Sequence, residues 1–325
     1  MRMYRYIVKR IFLMVPTLIG AAALVFIMMR LIPGDICLVR LGSEGASFTE
    51  QALNGCHAAM GLNQPVWLQF VKFLWGFFHL DLGISMWSGR PVIDEIAARF
   101  PITLEVAIFA TIIAVAIAIP LGTISALKQN SWTDLIVRTF AISGIAAPSF
   151  WIGIISLLVV LDLTQVFFGQ PWMPPINYVP LWQDPLKSLS IVILPAVTVG
   201  YRYSAVVMRM TRSAMLEVLR EDYIRTARAK GLIHRLIIRR HALKNAMLPV
   251  VTVIGIEFAF LIGGLVVTEQ VFNLNGLGRL LVEAVQNQDY TLTQGIVMLI
   301  VTVFVLTNLV VDVFYAWLDP RIRFA

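Results

Sequence analysis

Apolar residues gather into six stretches of this 325-residue chain, at roughly 9–31, 103–127, 139–161, 189–208, 248–269 and 292–316. Each is long enough to cross a bilayer as a helix, which takes about 20 residues because every backbone amide must be satisfied within its own segment. The fourth is the weakest, since Pro195 and Arg202 interrupt it. The first exceeds the apolar core of a signal peptide and lacks a clear cleavage site, so it reads as a permanent span. Between the first two runs, residues 32–100 form a long polar-to-apolar loop. Within it Trp67, Phe70, Phe73 and Leu74 recur at helical intervals. They predict a helix lying along the membrane interface, where Trp is enriched, or packed over the spans. Residues 163–188, rich in Pro and Trp, predict an irregular lid.

Composition agrees with that pattern. The chain is 58% hydrophobic and 14% charged, against about 25% charged in soluble domains. A soluble fold is excluded. The net charge of +7 is mostly an orientation signal. Arg2, Arg5, Lys9 and Arg10 precede the first run, Lys128 and Arg138 lie between the second and third, and a dense block extends from Arg209 to Lys244. Arg321 and Arg323 close the chain. The positive-inside rule therefore predicts cytoplasmic N- and C-termini, with residues 32–100 outside. The only cysteines, Cys37 and Cys56, fall in that outer loop. An oxidising compartment would let them pair; two unpaired thiols in a packed loop remain the alternative, because sequence does not give their separation. No Cys/His cluster has metal spacing, and His57, His79, His234 and His241 are scattered. No paired carboxylates or Ser/His arrangement in a span suggests an intramembrane enzyme.

The stretch EDYIRTARAKG, residues 221–231, stands out against this apolar background. Asp222 is a good N-cap and Gly231 a good C′ residue, predicting a helix over 223–230. So short a helix is marginal alone in water. Tyr223 and Ile224 offer apolar anchors, Ala227 and Ala229 keep its surface low, and Arg225, Arg228 and Lys230 supply charge. Nucleic-acid binding needs an accessible basic domain, which a loop between two spans does not provide. Attraction to lipid head groups explains the charge but not the caps or small residues. A short helix seated in a groove of a soluble partner accounts for all of them.

Several motifs in order carry a resemblance to the permease subunits of ABC importers for dipeptides, oligopeptides and nickel. EDYIRTARAKGL followed by RRHALKNAMLPVVT resembles their cytoplasmic EAA loop, here about 212–247. RLIPGD, GLNQPVWLQF, DLGISMWSGRPV, RFPITLE, EQVFNLNGLGRLLVEAVQNQDY and DVFYAWLDPRIR are similar to family segments elsewhere in the chain. Arg225-Thr226-Ala227 stands where the general pattern has Glu-Ala-Ala, as in the peptide subclass. Asn275 replaces the Pro usual before Gly-Leu-Gly, which would loosen that turn, and Ile36 replaces a Pro after Gly-Asp.

The resemblance implies an all-α membrane protein of the type I importer fold: six spans, a long periplasmic loop at 32–100 and a cytoplasmic coupling helix. It implies a place in the bacterial inner membrane beside a paralogous permease, two ATPase subunits and a periplasmic binding protein. ATP and Mg would be bound by the ATPases. This chain has no Gly-x-x-x-x-Gly-Lys-[Ser/Thr] phosphate loop, so no cofactor, metal or enzymatic role is expected of it. Coupling would fall to Asp222, Tyr223, Arg225, Thr226, Ala227, Arg228, Ala229, Lys230 and Gly231, with Ala227 permitting close approach to the ATPase. Di- or oligopeptides are the implied cargo; glutathione, nickel-chelate and opine importers share the motifs. A self-sufficient secondary transporter would show an inverted repeat and need no partner. Ionisable groups inside spans are functional candidates by default. Glu257 and Arg202 would either line the translocation pathway or form an interhelical pair that fixes packing. Gly263 and Gly264 would let helices close the outer mouth or simply pack.

Overall fold

The computed structural model describes residues 3–31, 37–38, 49–59, 61–175 and 177–318. Most of RLIPGD, the Ile36 that follows it, the middle of the first loop, and the C-terminal Arg321 and Arg323 lie outside the described residues. The elements in order are α1 Met3–Leu31, α2 Glu50–Ala59, α3 Val66–Phe78, α4 Val92–Leu127, α5 Trp132–Ala146 and α6 Ser149–Phe168. They continue with α7 Pro185–Val218, α8 Asp222–Ala229, α9 Leu243–Gly264, α10 Val266–Val271, α11 Leu277–Gln286 and α12 Tyr290–Leu318. A short turn, His234–Leu236, and a π-helical segment, Ile237–Ala242, lead into α9. Among the described residues there is no sheet, only an isolated bridge between Ile84 and Pro91.

Among the described residues, six helical stretches are long and apolar enough to cross a membrane: Ile7–Leu31, Val92–Leu127, Ser149–Phe168, Pro185–Val218, His234–Gly264 and Tyr290–Tyr315. Several boundaries differ from the hydropathy reading, those of the third and fifth runs among them. The third run, 139–161, is broken at Ala147, whose backbone is extended (ψ 130°) before Pro148. Proline cannot donate its amide and disfavours helical geometry in the residue before it. Residues 139–146 therefore belong to α5, and the spanning helix is displaced to Ser149–Phe168. The fifth run ends at Gly264 rather than 269, because a new helix starts at Val266.

The fourth run, weakest on paper, is the most buried of the six helices. Asp184 caps α7 by accepting from the Lys187 amide at 3.1 Å, and Pro185 occupies the first turn, where no amide is needed. Pro195 sits inside an uninterrupted helix, held by packing on several sides. Helices α4 and α7 lie side by side and parallel. A Cβ on Gly200 would stand 2.9 Å from the Ala110 carbonyl oxygen, and one on Gly122 2.8 Å from that of Met208. Small residues at these crossings let the backbones touch, the usual basis of close packing in lipid. Around this pair lie two apolar clusters. Tyr203, Met208, Met215, Ile237 and Val250 fill the end towards α8; Ile102, Val106, Val192, Ile262 and Leu265 fill the other.

At the end away from α8, α3 packs across α1. Phe26 meets Phe70 at 5.2 Å and Phe73 at 6.0 Å between ring centroids. Trp67 faces outward instead, so the packed face runs through Phe70, Phe73, Leu74 and Phe77. Cys37 and Cys56 are joined in a disulfide with their Cα atoms 5.8 Å apart. The described residues between Phe168 and Pro185 are non-helical. Buried Glu105 pins this segment, accepting from the Leu181 amide at 2.9 Å and the Ser188 hydroxyl at 2.7 Å.

Candidate functional site: a basic helix at one end of the bundle

Helix α8 begins one residue earlier than the sequence predicts. Glu221 is the capping residue, with extended backbone and no side-chain cap bond, and Asp222 is the first helical position. The Asp222 carboxylate instead accepts from Arg225 at 3.2 Å, on a fully solvated face. The other terminus is closed as expected. Gly231 takes a φ of +77°, its amide reaches the Arg228 carbonyl at 2.9 Å, and the Leu232 amide reaches that of Ala227 at 3.3 Å. These two bonds form a Schellman cap, which requires the left-handed conformation glycine adopts freely.

What holds this eight-residue helix is the chain itself. Ile224 is completely buried and Ala227 nearly so, both set into the cluster of Met215, Ile237 and Ala246. Ala227 therefore faces the protein's own core, not a partner, because it follows Ile224 by three residues on one helical face. Tyr223 is tied to the start of α9, its hydroxyl accepting from Asn245 at 2.7 Å. The surface left open carries Arg225, Thr226, Arg228, Ala229, Lys230 and Gly231, continued by Leu232 and Ile233. A basic face edged with exposed apolar residues is suited to protein contact.

Inside the spans, Arg202 is exposed on α7 and Glu257 half-buried on α9. The two helices meet where the Tyr203 hydroxyl donates to the Ile254 carbonyl at 2.5 Å. No ion pair within 4.0 Å joins Arg202 to Glu257, although the Arg202 charge acts on Glu257 through space. Gly263 lies against Ile300, while Gly264 meets nothing. Asp312 pairs with Arg10 at 3.1 Å, tying α12 to α1.

Several buried carboxylates escaped the sequence reading. Asp134 is bound by Arg212 and Ser125 at the α8 end. At the opposite end Glu269 accepts from Thr103 at 2.7 Å and the Arg279 amide at 2.9 Å, and Thr103 in turn accepts from the Leu277 amide at 2.8 Å. A carboxylate at the start of α11 satisfies amides that the helix leaves open. This cage holds the turn around Asn275 firmly, where sequence predicted a looser one. Burial pushes the Glu269 carboxyl above its ordinary range, with Thr103 and the Arg279 and Gly278 amides limiting the rise. Asp289 similarly receives the Ser85 hydroxyl at 2.5 Å and caps α12 through the Leu292 amide at 2.9 Å. Only the polar residue within an apolar context signalled any of these; the partners lie far away in sequence.

Residues 118–324 match the family described as "Binding-protein-dependent transport system inner membrane component", and residues 3–107 match its N-terminal component. The chain belongs to this family. The dipeptide transport system permease protein DppB of Escherichia coli K12 is 41% identical over 338 residues, covering 99% of each chain. The glutathione transport system permease protein GsiC of Escherichia coli O6:H1 is also 41% identical, covering 99% of this chain and all of the relative. Among solved structures, the inward-facing MetNI methionine ABC transporter matches with a TM-score of 0.53 at 18% identity, over 69% of this chain and 96% of that one. This likeness confirms the importer permease fold. The permease is thus a multi-pass inner-membrane component of an ABC importer, as its motifs suggested. Among the described residues no cluster suited to a metal ion occurs.

Proposed function

We propose that this permease forms half of an inward pathway for dipeptides or chemically similar solutes such as glutathione. The observation that carries this reading is the full-length identity to permeases named for those two cargoes. In this reading a paralogous permease completes the pathway, a periplasmic binding protein delivers solute, and two ATPase subunits bind ATP and Mg. Hydrolysis occurs on those subunits and not on this chain. The α8 end faces the cytoplasm, together with both termini, in keeping with the distribution of Lys and Arg.

The open face of α8 is the proposed ATPase contact, with Arg225, Arg228 and Lys230 meeting acidic or carbonyl groups. Ile224 and Ala227 couple the helix to the bundle, so displacement of α8 is passed to α7 and α9. Arg202 and Glu257, ionisable at span depth and unpaired with each other, are proposed to line the pathway.

The test is uptake into proteoliposomes containing both permeases and both ATPases. Labelled dipeptide or glutathione should accumulate only with ATP and a binding protein. Uptake by the permease without ATPases would favour a secondary transporter and end this reading. Reversing charge with Arg228→Glu should weaken ATPase association about tenfold, equivalent to about 1.4 kcal/mol, without disturbing the fold. Unchanged association would place the contact elsewhere.

A further inference from the structure

We propose that Asp134, Ser125 and Arg212 form a rigid joint that passes movement of α8 to α4 and α5 as well as to α7. This inference rests on the reading of α8 as the coupling element. Arg212 lies on α7 ten residues before Asp222. Its guanidinium grips Asp134 with two parallel bonds, Nε to Oδ1 and Nη2 to Oδ2, each 2.8 Å. Nε also reaches the Ser125 hydroxyl at 3.0 Å, and that hydroxyl donates to Asp134 Oδ1 at 2.5 Å. The remaining approach to Oδ2 is taken by the Asn130 amide at 3.0 Å. Three elements thus meet at one carboxylate: the last turn of α4, the first turn of α5, and α7.

The backbone prepares this meeting. At Gly122, one turn before Ser125, α4 touches α7 closely enough that a Cβ would crowd both Met208 and Thr211. The turn between α4 and α5 places Asn130 in the left-handed region, φ 62°, which aims its amide at Asp134. Ser131 caps α5 by accepting from the Asp134 amide at 3.4 Å. Asp134 itself is 1% exposed.

Stability alone is a poor reason for such a pair, because apolar residues of like volume usually hold buried helices as well or better. Apolar contact, however, is non-directional. A bidentate arginine–carboxylate contact fixes both distance and orientation. The Arg212 hydrogen bonds, opposed by burial and aided by Ser125 and Asn130, hold the Asp134 carboxyl well below the usual carboxylate range. The joint stays ionised across physiological pH and does not act as a switch.

The experiment compares wild type with Asp134→Asn, Arg212→Lys and the double variant Asp134→Asn/Arg212→Gln, each in the assembled complex in proteoliposomes. Assembly, melting temperature, ATP hydrolysis and solute imported per ATP are measured. Each single variant should assemble and hydrolyse ATP, while import per ATP falls about tenfold, within the range over which residues along a coupling route act. The double variant leaves no unpaired charge, so it should regain melting temperature but not coupling. Recovery of both together, undiminished coupling in Asp134→Asn, or failure of every variant to assemble would each show a structural role only and overturn the joint. Arg228→Glu is measured alongside. If it uncouples and Asp134→Asn does not, the joint falls and α8 stands; if Arg228→Glu has no effect, the underlying reading of α8 falls with it.

Discussion

Single residues here divide into those that shape α8 and those that show themselves to a partner. Ile224 is the anchor: Ile224→Ala should destabilise the permease by about 2–5 kcal/mol, the usual cost of emptying a core site. Arg228→Ala, on the open face, should change thermal stability by no more than about 0.5 kcal/mol. Melting curves in detergent would separate the two, and equal losses would contradict the burial pattern. Gly231→Ala meets no neighbouring atom, so its penalty, about 1–2 kcal/mol, would come only from the left-handed backbone. Glu269 supplies a pH test. Its folded carboxyl titrates above the ordinary range, so its stabilising share is complete below the unfolded value, about 4.3, and declines as pH rises through the folded one. Glu269→Gln should flatten stability against pH in that window. Glu269→Ala should cost about 1–3 kcal/mol more than Gln at neutral pH by stranding buried donors. A decline of equal slope in Glu269→Gln would assign the titration to another group.

Among the elements, the α4–α7 pair is the frame on which the others hang. Its glycines are spacers whose replacement drives atoms into backbone. Gly200→Ala should cost about 1–3 kcal/mol by overpacking against Ala110, and a similar figure is expected for Gly122→Ala. Scanning calorimetry of the assembled complex would check both; a change under about 0.5 kcal/mol would mean the helices part readily. The third span shows how one residue redirects an element. Hydropathy runs smoothly through 139–161, but Pro148 denies helical geometry to Ala147 and divides the run in two. Pro195 does not do this to α7, and Pro16, Pro101, Pro120 and Pro249 likewise sit inside continuous helices.

For the whole molecule, the sequence matches give the family and the architecture agrees with it in fold; transport in a reconstituted complex is the measurement that decides its cargo. The sequence by itself determined the membrane class, six crossings and a basic segment with a glycine stop. Those properties are local: backbone groups in lipid must be satisfied within their own helix, and a left-handed cap needs glycine wherever it falls. Tertiary structure alone decided that Ala227 turns inward, that the fourth run is the core, and which donors surround each buried carboxylate. Asp134 finds Arg212 across 78 residues and Thr103 finds Glu269 across 166. Such partners are chosen by the burial that makes an unpaired charge untenable, and burial exists only once the helices have packed.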